Sequence, residues 1–302
     1  MNAINTNTQI CLDRGGRLVG MDELRAMHDP AHGGTLPVSK GNRHHPVPFY
    51  QLVDLVMSKV ERLYTGPSGD YVISKCHLAL NSKGTQLFGL LIIRDKPPTE
   101  PHRFAFEDEF TWRNRLAEYN EKLDAWNDQP TGWMIGFRGS IDQTLSEAMV
   151  IGLQVFICEN LCISGGADAV WVMRKNTRNA LSTMGDDVMT GLLRATDLVG
   201  DIQSDIDDFR DIRIPRTRMA ELTGLAQYNS VLTSTQANEV YRQIKDPTHD
   251  VFKGETLWDY YNHCTEGVKH GDFGHTFEKH GRVHEYCKEL IVNERPLIVA
   301  VP

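Results

Sequence analysis

The chain has 302 residues, 40% of them apolar and 24% charged, with a formal net charge of −8. That composition is globular and not disordered, and the length suits one large domain or two ordinary ones. A chain this acidic repels a phosphate backbone overall, which argues against binders that draw their affinity from neutralising phosphates.

Residues 1–47 read as an irregular lead-in, broken by Gly15-Gly16, Gly33-Gly34 and several prolines. Arg14, Arg17, Arg25, Lys40, Arg43, His44 and His45 enrich it in positive charge; they form either a local basic face or a solvated N-terminal region. Pro48 is placed to open a helix, and Leu52, Leu55, Val56 and Val60 follow at helical spacing, predicting an amphipathic helix over 48–64. Tyr71 to Leu80 and Leu87 to Ile93 read as two strands joined by the turn residues Asn81-Ser82-Lys83-Gly84. Pro97, Pro98 and Pro101 then stop the pattern.

Residues 106–128 combine a helical stripe, Leu116, Tyr119, Leu123 and Trp126, with charge on the other faces. Between strand-like regions, this segment reads as an insertion lying across a surface. Its aromatics Phe110, Trp112, Tyr119 and Trp126 either anchor it to the body or form an interface with a partner. Trp133–Phe137, Gln154–Cys158 and Ala169–Met173 are short strand-like runs that complete a sheet with the earlier hairpin. From 178 onward the pattern is helical: a long run over 178–210, then segments near 217–227, 234–245, 256–270 and 276–293. Leu297 to Val301 reads as a last short strand or a docking tail. The expected architecture is α+β, with an antiparallel or mixed sheet in the N-terminal half, a helical C-terminal half and an inserted helical arm. Its expected divisions are an irregular region 1–47, a sheet-containing domain 48–177 with the insertion at 103–129, and a helical region 178–302.

Six scattered cysteines do not make a disulfide scaffold. The first 25 residues lack the apolar segment of a signal peptide, and no apolar run approaches the ~20 residues of a membrane span. The protein is therefore expected in the cytoplasm of its host, with free thiols and no membrane contact. Neither GxxxxGK[ST], GxGxxG, GxSxG nor HExxH occurs, which lowers the case for the common nucleotide enzymes and hydrolases. No cofactor and no catalytic residue is expected.

Three clusters bear on chemistry. His280, His284 and Cys287 fall at i, i+4 and i+7 on one helical face, and Cys264 could complete a tetrahedral metal set; the same residues also read as surface histidines and core-filling cysteines. Cys158 and Cys162 sit among apolar residues and read as buried strand, not as activated thiols. Asp201, Asp205, Asp208 and Asp211 recur at 3–4 spacing opposite Ile202, Ile206 and Phe209. They fit the wet face of a helix, a Mg²⁺ site, or an acidic stripe that docks on a partner's basic surface.

Two stretches carry a resemblance. One runs Phe137-Arg-Gly-Ser140-Ile-Asp142, then Gly152 to Leu161 with Cys158-Glu-Asn160; the other is Thr256-Leu-Trp258-Asp-Tyr-Tyr261-Asn262-His-Cys-Thr265-Glu266. Together they resemble the phage and plasmid domain-of-unknown-function family numbered 932, with its Ser-x-Asp turn, Cys-x-Asn strand and Trp-x-x-Tyr-Asn-x-x-Thr-Glu helix. Ser140, Asp142, Cys158, Asn160, Trp258, Tyr261, Asn262, Thr265 and Glu266 match that pattern, and their chemistry suits holding turns and packing a helix. The chain departs where many members carry an Arg/His cluster, showing Arg174-Lys175-Asn176-Thr177 instead.

In size and kind the chain is also similar to phage proteins that block the Gabija defence complex. That likeness implies a homo-oligomer that occludes a host immune nuclease by protein–protein contact. Two other readings stay open: a nucleic-acid protein of recombination or replication using Arg14, Arg17, Lys40 and Arg43, and a metal-dependent enzyme built on the His/Cys cluster.

Overall fold

The computed structural model describes residues 16–39, 44–66, 69–127, 131–155, 160–162, 170–174, 177, 179–270 and 275–298. Its frame is an antiparallel sheet of strands β1 (Arg17–Leu18), β2 (Tyr71–Leu80), β3 (Gln86–Asp95), β4 (Thr131–Ser140), β5 (Glu147–Val155), β6 (Asn160–Cys162) and β7 (Val170–Arg174). The first six lie in sequence order, and β5 shares its far edge between β6 and β7.

The β2–β3 hairpin turns where Asn81 and Gly84 place it, with the Asn81 side chain accepting from the backbone N–H of Thr85 at 2.8 Å and of Gln86 at 3.1 Å. Strand β3 is central, and Leu87 to Ile93 are buried on both faces. That burial explains an unbroken apolar run where a one-sided strand would alternate. At its middle the Phe137 ring of β4 crosses Gly89, where a Cβ would stand 2.0 Å from the ring. Glycine is the residue that allows such an approach.

Helices α1 (Met21–His28), α2 (Phe49–Val60), α4 (Ala180–Leu193) and α5 (Ala195–Asp211) contribute to one core with the sheet. Helices α6 (Arg216–Tyr228), α7 (Ser234–Lys245), α8 (Leu257–Val268) and α9 (Thr276–Ile298) extend it. A single buried apolar cluster runs from Leu24 through Ile135 and Phe209 to Leu290. The division at 178 is thus a change from strand to helix through which the core continues. The opposite sheet face holds a smaller cluster of Leu90, Ile92, Met134 and Val150, closed by Phe277 of α9. Helix α3 (Glu109–Asn127) is inserted between β3 and β4.

The architecture is the α+β arrangement expected, with an antiparallel sheet in the N-terminal half and helices after it. Several local readings change. The irregular lead-in contains α1, whose acids Asp22 and Glu23 open the helix while Arg25 and His28 close it, matching the helix dipole. It is docked by Leu24 and His28, too few buried positions to reveal a period. The run over 178–210 is two helices, broken at Arg194. Strand β5 starts at Glu147, ahead of the expected 154–158 run; residues 156–159, Cys158 among them, lie outside the described residues. Leu297 and Ile298 end helix α9 instead of forming a strand. Among the described residues no helix is long and apolar enough to cross a membrane.

Candidate functional site

Helix α3 stands by local means. Asp108 caps it, accepting from the Thr111 backbone N–H at 2.9 Å and its hydroxyl at 2.7 Å. Ion pairs Arg113–Glu109 at 2.9 Å and Lys122–Glu118 at 2.6 Å bridge successive turns. Its base is pinned where Trp126 Nε1–H donates to the Asp95 carbonyl at 2.9 Å and the Arg94 guanidinium lies 4.0 Å over the indole.

No residue of this 19-residue helix is fully buried. Trp112, Leu116, Tyr119, Leu123 and Trp126 are half-buried along one side. Ahead of them Phe104, Phe106 and Phe110 are 66%, 102% and 75% exposed. Arg115 holds the approach to the helix, pairing with Glu107 at 2.7 Å and lying 4.9 Å over the Phe104 ring. Phe104 and Phe106 were missed by a stripe-based reading because they precede the helix.

The acidic helix α5 buries Ile202, Ile206 and Phe209, as its spacing predicts. Its carboxylates divide. Asp201 and Asp211 are exposed and Asp208 is half-buried, whereas Asp205 turns inward. It accepts from His284 Nε2 at 2.9 Å and from Lys288 Nζ at 3.0 Å. Burial pushes its carboxyl up, but the hydrogen bonds from His284 and Lys288 outweigh that and hold it below the usual carboxylate range. Asp205 is therefore an internal tie between α5 and α9, withdrawn from any docking stripe.

The chain of contacts continues inward. His284 Nδ1 lies 3.4 Å from the Tyr261 hydroxyl, Tyr261 stacks on Trp258 with centroids 5.7 Å apart, and Arg210 covers Trp258. An Asp–His–Tyr series has the order of an acid–base relay, but His284 and Tyr261 are fully buried. A proton-transfer group must reach a reacting atom; these two reach one another.

The metal reading of Cys264, His280, His284 and Cys287 is corrected by the same geometry. All four are buried, and His284 is committed to Asp205 and Tyr261. Burial pushes the Cys264 thiol up to about 12 and the Cys287 thiol well above its usual range, disfavouring the thiolate that binds metal. Among the described residues no group of three or more His, Cys, Asp or Glu side chains is placed to hold a metal ion.

The residues shared with the resemblance maintain local structure where they are described. Ser140 donates to the Leu145 carbonyl at 2.9 Å and accepts from the Leu145 N–H at 3.1 Å, closing the β4–β5 turn. Asp142 accepts from the Thr144 N–H at 3.1 Å. Asn262 donates to the Trp258 carbonyl at 2.8 Å, Thr265 to the Asn262 carbonyl at 3.0 Å, and Glu266 pairs with the buried Lys269 at 2.6 Å. Thr256 and Asp259 form a capping box that starts α8. Asn160 opens β6.

The N-terminal basic residues do not assemble a described cationic face. Arg17 pairs with Glu23, Arg25 reaches Asp54 at 3.3 Å and His44 is buried. Arg14, Lys40 and Arg43 lie outside the described residues.

Sequence reasoning missed two buried charges. Arg138, 3% exposed, makes a two-pronged bond to Glu278 of α9 at 2.9 and 2.5 Å, on the sheet face that also carries Met134. Glu147, 1% exposed, lies on the other face, over Gly139 and beside Leu52 of α2. A lone charge inside an apolar strand, as in Gly136-Phe-Arg138-Gly, was the available signal. Compared with known protein families, with curated proteins and with solved structures, the chain matches none.

Proposed function

We propose that this protein acts by binding another protein, and that the arm formed by residues 104–127 makes the contact. One observation carries this reading: three phenylalanines stand exposed on or just before a helix that has no fully buried residue. Aromatic side chains each offer about 150–250 Å² of apolar surface, and leaving several in water is a standing cost unless a partner covers them. The local cap, the ion pairs and the Trp126 anchor support a preformed arm, which lowers the ordering cost of association.

In its specific form the proposal is a phage anti-defence protein of the host cytoplasm. As a homo-oligomer it occludes an immune nuclease complex of Gabija kind, and the exposed carboxylates Asp201 and Asp211 face the partner's basic DNA-binding surface. Direct nucleic-acid binding is not part of it. The test is capture of the nuclease complex from cells expressing it, using tagged wild type and the variant Phe106→Ser/Phe110→Ser. Wild type should retain the complex and suppress its DNA cleavage, and the variant should lose both while its circular dichroism is unchanged. Equal capture by the two proteins refutes the arm as the contact. Absence of capture by wild type refutes the defence target but leaves oligomerisation through the arm to be read by light scattering.

A further inference from the structure

Away from the arm, the end of α5 and the starts of α6 and α8 enclose a groove of about 740 Å³ lined by Arg210, Asp211, Arg213, Arg216, Lys253, Gly254, Glu255 and Thr256. Four cationic and two anionic side chains line it, in a chain of net charge −8. A volume of this order suits one small molecule.

The groove is built on rigid backbone. Arg213 pairs with Thr256 in an antiparallel bridge, the Ile214 N–H donates to the Glu255 carbonyl at 2.7 Å, and the Leu257 N–H donates to the Ile212 carbonyl at 2.8 Å. The side chains are positioned from several directions. Arg216 donates to the Lys253 carbonyl at 3.1 Å, and Arg210 is steadied over the Trp258 ring at 5.4 Å. Arg213 keeps the most capacity, 78% exposed with Glu255 at 3.7 Å, whereas Arg210 pairs with Asp207 at 3.0 Å and Lys253 with Asp250 at 2.7 Å. Helix α6 adds its own field here, because its N-cap is Pro215 and no side chain caps its first turn.

Cations gathered around one hollow repel each other unless an anion stands between them. Asp250 holds the Lys253 ammonium pKa up, outweighing its burial and the smaller repulsion from Arg216. A planar guanidinium matches the oxygen geometry of a phosphate, with two parallel hydrogen bonds available to each arginine.

We propose that this groove is a binding site for a phosphorylated small molecule of nucleotide size, with Arg213, Arg216 and Lys253 on the phosphate oxygens. The overall negative charge disfavours a long polyanion while leaving a compact phosphate group able to enter the groove. Glu255 is the internal competitor, occupying Arg213 until the ligand displaces it.

The experiment is isothermal titration of the full chain, at low salt, with inorganic pyrophosphate, ADP and adenosine, and separately with a single-stranded oligonucleotide. Pyrophosphate and ADP should bind and adenosine should not. Arg213→Gln should weaken ADP by roughly tenfold, since one charge-assisted contact is lost. Glu255→Gln should tighten it by several-fold, a gain that damage to the fold cannot imitate. The site is refuted if ADP and pyrophosphate do not bind, if Arg213→Gln and Glu255→Gln leave their affinity unchanged, or if only the oligonucleotide binds.

Discussion

Arg138→Met isolates the tie between the sheet and the last helix. The substitution keeps an unbranched stem on β4 and removes the guanidinium that holds Glu278 of α9 at 2.9 and 2.5 Å. Removing one partner of a buried pair costs about 3–5 kcal/mol, chiefly because the remaining charge stays desolvated. Glu278 retains 25% exposure and can partly rehydrate, which places the expected loss at the lower end, about 3 kcal/mol. Urea denaturation followed by circular dichroism measures it as a shift in midpoint at constant slope. The double variant Arg138→Met/Glu278→Met should recover at least about 1 kcal/mol of that loss, because no unpaired charge is left. A loss under about 1 kcal/mol for the single variant, or a double variant no better than it, would refute the idea that this pair clamps α9 to the sheet.

Gly89→Ala should destabilise by about 2 kcal/mol or more in the same assay, because the added methyl meets the Phe137 ring at 2.0 Å; a neutral result would mean that the ring moves aside freely. The His263 imidazole, buried on α8, has its pKa pushed down to about 4, first by burial and then by the neighbouring Arg216 charge, against the opposing pull of Asp259. Its folded value lies below the unfolded one, so its contribution is full above about pH 6.5 and is lost as pH falls towards 4, by up to about 3 kcal/mol. The urea midpoint of His263→Gln should therefore change less than wild type across that window. Asp205, also depressed, contributes above the unfolded carboxyl value and loses that contribution as pH falls through its lower folded value; Asp205→Asn should flatten the most acidic limb of the stability profile, and an unaltered limb counts against its tie to His284 and Lys288.

Much of the scaffold was legible along the chain because its signals are local. Asn81 and Gly84 define a turn by their own backbone chemistry, and the Leu52–Val60 spacing needs only neighbours three and four apart. The Ser140 and Asp142 side chains act within five residues of themselves, so turn-holding could be read before any fold was known. Helix α1 escaped notice because eight residues with two buried positions carry almost no period. The start of β5 was obscured for a different reason: Glu147 is a charge at a position that packing buries completely.

Residue order by itself determined the α+β division, the hairpin, the helical C-terminal half and the existence of an inserted helix, since each depends on periodicity or turn chemistry within a short window. Tertiary structure alone decided that the inserted helix fully buries none of its residues, that Asp205 turns inward to His284, and that Arg210, Arg213, Arg216 and Lys253 meet around one groove. Those outcomes depend on which side of each element faces another across the fold, 79 residues apart for the Asp205–His284 bond. Spacing within one helix specifies a face, and only packing specifies what that face meets.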